Sequence, residues 1–93
     1  MEEDTLYERL KDCRIKDLSA DLLNQIELKG STHHNIIGSH KRSLAIIVYP
    51  ETSSLNSNLQ NDITYADLKK EYPKDYKIFL KIITDCIEDG FKV

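Results

Sequence analysis

The last third of the chain places the tightest limits on what it can fold into. From Thr64 to Ile87 it carries a helix start, a proline and then a long stretch whose apolar residues recur at helical spacing. Thr64 stands before Tyr65-Ala66-Asp67-Leu68, which puts Asp67 in the reciprocal position of a capping box. Pro73 suits the first turn of a helix and not its interior, because it has no backbone donor and its ring clashes with the preceding turn. Beyond it, Tyr76, Ile78, Phe79, Leu80, Ile82, Ile83, Cys86 and Ile87 make a wide apolar sector, while Lys74, Lys77, Lys81, Asp85 and Glu88 fall toward water. Gly90 marks the stop. A face of that width has to be covered.

With 93 residues there is room for one hydrophobic core, so the cover is sought in the same molecule. Leu44 to Tyr49 is the longest continuous apolar run, and its branched residues favour a strand that Pro50 ends. His34-Asn35-Ile36-Ile37 and Ser43 to Tyr49 flank Gly38 to Arg42, a connection of hairpin length. Because the second arm is continuous rather than alternating, it reads as a strand covered on both faces. The amino-terminal part reads as two helices. Asp4 or Thr5 caps the first, with Leu6, Leu10 and Cys13 roughly along one side. Ser19 precedes the second, with Leu22, Leu23 and Ile26 on adjoining turns and Gly30 as a stop. Residues 52–61 are nearly all Ser, Thr, Asn and Gln, the composition of an exposed flexible loop. The expected fold is therefore α+β: one compact domain over 1–93, with amino-terminal helices, a central β-hairpin and two carboxy-terminal helices.

A composition of 40% hydrophobic and 31% charged residues argues against both general disorder and a membrane protein. The acidic first residues lack the basic start and apolar core of a secretory signal, which favours an intracellular, cytoplasmic location. Cys13 and Cys86 form no short-spaced pair and read as thiols packed like small hydrophobes. The formal charge of −3 gives no general attraction to nucleic acid.

Against that background a few residues stand out. His33, His34 and His40 suggest metal or proton transfer, but neighbouring histidines on a strand point to opposite sides and no Cys-Cys or His-x-x-x-His pattern completes a site. A solvated loop is the simpler reading. No acidic residue occurs between Glu27 and Glu51, an interval that holds Lys29, His40, Lys41 and Arg42. At a hairpin tip, Lys41 and Arg42 would reach phosphate, with Ser39 or Ser43 adding hydroxyls. Two strong cations are a small electrostatic footprint, however, and a polar turn needs no ligand. A helix-turn-helix reading of the carboxy-terminal pair conflicts with the apolar second helix. Three scattered glycines build no phosphate loop, and Ser39 beside His40 is not a catalytic dyad by adjacency alone.

No motif calls for an enzyme, a cofactor or a metal. The leading expectation is a small non-catalytic adaptor, regulator or inhibitor that binds another protein or a second copy of itself. Its contact surface is read as Ile36 and Ile37 on the hairpin together with Tyr65, Tyr72 and Tyr76, since tyrosine combines an apolar ring with a polar tip at wet edges. The alternative is a small accessory nucleic-acid-binding protein using Lys29, His40, Lys41 and Arg42.

Overall fold

Thr64 and Pro73 set the starts of the two carboxy-terminal helices as their chemistry dictates. Thr64 has extended backbone angles and its hydroxyl accepts a hydrogen bond from the Asp67 amide at 3.2 Å, while Pro73 opens the following helix. The computed structural model describes residues 3–29, 38–52, 59 and 61–93. Its elements are α1 (Glu3–Leu10), α2 (Ile15–Lys29), α3 (Gly38–Val48), a short 3-10 turn (Pro50–Thr52), α4 (Tyr65–Glu71) and α5 (Pro73–Glu88).

Among the described residues there is no strand and no sheet, so the expected α+β class is corrected to all-α. The error lies in the central hairpin. Gly38 to Arg42, read as its tip, are the first turns of α3, and the second arm continues that helix to Val48. Leu44 and Ile47, one turn apart, are buried, while Ala45 and Val48 pack partly against the core. A short apolar run carries no period that separates strand from helix, and tertiary burial overrides the weak β preference of isoleucine and valine. Pro50 serves equally well as the stop after a helix. The first arm, including Ile36 and Ile37, lies outside the described residues.

One buried cluster joins all five helices: Leu6 and Leu10 from α1, Leu22, Leu23 and Ile26 from α2, Leu44 and Ile47 from α3, Tyr65 and Leu68 from α4. The largest share comes from α5, with Tyr76, Phe79, Ile82, Ile83 and Cys86. Leu59, from the polar 52–61 stretch, also enters this core. Ser19 sits buried inside α2 rather than before a helix.

Two ties hold distant parts of the chain together. Ile15 N–H donates to the Ile63 carbonyl at 2.9 Å and Tyr65 N–H donates to Cys13 at 2.8 Å, forming an isolated antiparallel bridge between Arg14 and Thr64. This clip fixes the α1–α2 junction against the entry to α4. At the other end, Gly90 adopts φ 88°, Phe91 N–H reaches back to the Cys86 carbonyl at 3.0 Å and Gly90 N–H to Ile87 at 3.0 Å. That is a Schellman ending, which requires the left-handed residue that glycine supplies. Phe91 buries its ring, and the Gln25 side-chain amide pairs with both backbone groups of Lys92, at 2.7 and 2.9 Å.

Candidate functional site

Helix periodicity places Ile78 and Asp85 on one line of α5, seven residues apart at the edge of the apolar sector. The amino-terminal turn of α3 packs beside that line. His40 Nε2 lies 2.7 Å from Asp85 Oδ2, and Lys81 Nζ lies 3.0 Å from Asp85 Oδ1. The His40 and Asp85 side chains are only 13% and 10% exposed, whereas Lys81 remains in water. Burial opposes ionisation of the Asp85 carboxyl, but the hydrogen bonds from His40 and Lys81 outweigh it and hold the group below the ordinary carboxylate range. Both carboxylate oxygens are thereby engaged.

Next to this triad lies an open groove of about 400 Å³. Ile78 and Ile82 supply apolar surface, Ser39, His40 and Ser43 come from α3, and Lys77 and Lys81 form a cationic rim. Ile82 is buried, but Ile78 is 52% exposed, unlike the large apolar residues nearer the centre of the α5 face. The first turn of α3 contains no acidic residue. Lys41 and Arg42 are exposed on the same helix and make no ion pair among the described residues.

A hydrogen-bonded His–Asp pair is the orienting half of many nucleophilic sites. Here the Ser43 hydroxyl donates to the Ser39 carbonyl at 2.9 Å, and the imidazole is bonded to Asp85. The arrangement positions an imidazole and a cation, and among the described residues no serine, threonine or cysteine side chain is hydrogen-bonded to that imidazole. Among the described residues no group of three or more His, Cys, Asp or Glu side chains is placed to hold a metal ion. His33 and His34 lie outside those residues.

The tyrosines expected at a contact surface are placed differently from one another. Tyr65 is fully buried and Tyr76 nearly so, while Tyr72 is half-buried. Tyr65 and Tyr76 do meet, with ring centroids 5.3 Å apart in an edge-to-face arrangement. The Tyr65 hydroxyl donates to the Tyr76 hydroxyl at 3.3 Å, which donates to Glu3 Oε2 at 3.3 Å. Burial raises both phenols above their ordinary range. Lys69 stands 4.5 Å from the Tyr7 ring centre and 5.5 Å from that of Tyr76. This relay is core and rim.

Of the cationic set, His40, Lys41 and Arg42 lie together on α3. Lys29 ends α2, and its side chain lies outside the described structure. His40 is not a solvated loop residue and Asp85 is not wet: each is buried against the other. Pairing across 45 residues leaves no local mark in the sequence. The one available signal was Ile78, an apolar residue off the centre of the α5 face and in line with Asp85. The two cysteines are thiols, and burial pushes that of Cys86 up to about 12.

Comparison with protein-family models, with curated proteins and with solved structures gives no match. Among the described residues no helix is long and apolar enough to cross a membrane.

Proposed function

We propose that this chain is a small non-catalytic protein-binding module, an adaptor, regulator or inhibitor, and that its contact face is the groove between α3 and α5. The observation that carries this reading is the half-exposed Ile78, set in a concavity beside two lysines. A large apolar side chain held partly in water, in a recess with a polar rim, has the layout of an interface centre. Tyr65 and Tyr76 would then support the helices that build the face, while Tyr72 remains available at the edge of the α4–α5 junction. An intracellular, cytoplasmic setting belongs to the same proposal and accords with the free thiols.

Exposed Lys41 and Arg42 favour a second reading, contact with nucleic-acid phosphates, with Lys77 as an added cation. Crosslinked purification of the wild type and of Ile78→Asp, each with and without nuclease, separates the two. A stoichiometric protein partner that survives nuclease and disappears with Ile78→Asp is the expected result. Recovery only with nucleic acid, abolished by Lys41→Ala/Arg42→Ala, would overturn the protein-binding reading.

A further inference from the structure

We infer that the α3–α5 groove takes an acidic linear peptide segment that inserts one apolar side chain between flanking carboxylates; this rests on the protein-binding reading above. The recess has two chemically distinct parts. Ile78 and Ile82 form an apolar surface, and a volume of about 400 Å³ admits a side chain or two and not a folded surface. The exposed charged side chains that line it are Lys77 and Lys81. Lys77 is exposed and makes no ion pair among the described residues, and the Lys81 ammonium, although bonded to Asp85, remains largely in water.

The charge balance is decided by Asp85. It is the carboxylate bonded at this edge, and it is 7% exposed with both oxygens occupied by His40 and Lys81. An incoming segment therefore meets Lys77 as an uncompensated cation, and beside it the exposed Lys81 ammonium, whose charge Asp85 partly offsets while its own oxygens are closed to the segment. The opening turn of α3, with exposed Gly38 and Ser39 and no acidic residue, adds the positive end of a helix dipole.

An acidic peptide uses both parts of this surface. Its apolar residue covers Ile78 and its carboxylates face Lys77 and Lys81. A nucleic-acid backbone uses only the cations and leaves Ile78 uncovered, and a purely apolar segment leaves Lys77 without a counter-charge. Charge complementarity around an apolar anchor thus selects the peptide.

The test is selection of random dodecapeptides displayed on phage against the full chain, followed by anisotropy titration of the enriched peptides in fluorescein-labelled form. Enrichment of one apolar residue flanked by Asp or Glu is expected. Binding should weaken roughly tenfold or more with Ile78→Asp, the scale of losing one buried apolar anchor. It should also weaken with Lys77→Glu and with added salt, and return with Lys77→Arg; unchanged melting shows that each variant folds. Apolar peptides that depend on Ile78 but ignore Lys77→Glu and salt would overturn the acidic specificity while leaving the protein-binding reading intact. The same holds for a dimer, seen by sedimentation equilibrium, that Ile78→Asp dissolves. If no selected peptide depends on Ile78, and a labelled single-stranded oligonucleotide binds and is released by Lys41→Ala/Arg42→Ala, both readings fail.

Discussion

Replacing Tyr76 by Phe deletes one oxygen and strands another. The Tyr65 hydroxyl, on a fully buried residue, has the Tyr76 hydroxyl as its hydrogen-bond acceptor, whereas Tyr76 also donates to Glu3. Removing the oxygen of Tyr65 costs a single bond that is long at 3.3 Å, so Tyr65→Phe should lose about 0.5 kcal/mol, the low end for a neutral hydrogen bond. Removing that of Tyr76 leaves the Tyr65 hydroxyl dehydrated and unpaired, which costs about 2 kcal/mol. For a chain of this size the two losses correspond to roughly 2–4 °C and 8–16 °C in Tm. The double variant is the sharper test. With both oxygens gone nothing is stranded, so it should be more stable than Tyr76→Phe alone. Urea unfolding of the four proteins in a double-mutant cycle measures this directly. Equal losses for the two single variants, or a double variant less stable than Tyr76→Phe, would refute the assignment of donor and acceptor along this relay.

Other perturbations probe the rest of the fold. Thr64→Ala removes the α4 cap and should cost about 1 kcal/mol by thermal unfolding, with Thr64→Ser close to wild type. Ser19→Ala should raise stability, by up to about 1 kcal/mol, because the buried Ser19 hydroxyl has no hydrogen-bond partner among the described residues and alanine is the better helix former. Asp85 has its carboxyl held low in the folded state, so its contribution is complete above the unfolded value and is lost as pH falls through the folded one. The stability gap between wild type and Asp85→Asn should therefore be open above the ordinary carboxylate range and close as pH falls below about 4. A gap that stays constant on acidification contradicts that charge assignment.

Boundaries in the carboxy-terminal third were legible because they depend on groups a few residues apart. A hydroxyl three residues before an amide, a ring that lacks a donor and a glycine able to take positive φ each act within a turn or two, whatever the rest of the chain does. The broad apolar face of α5 follows from the same short-range geometry, and so does the burial of Phe79, Ile82, Ile83 and Cys86. Leu44 to Tyr49 lacked any such marker. With no polar residue to show a period, the run fitted a strand as readily as a helix until packing against α2 decided the matter.

The candidate site shows the same division. Sequence alone determined that the interval from Lys29 to Arg42 is free of acidic residues and that α5 carries a lysine face, since both are properties of neighbouring positions. Only the tertiary structure decided that His40 meets Asp85, that Tyr65 and Tyr76 turn inward, and that Ile78 is left half in water beside Lys77. Each of those outcomes depends on which helix covers which side of α5. That choice is made by the summed burial of the whole core, an energy that no local stretch of chain contains.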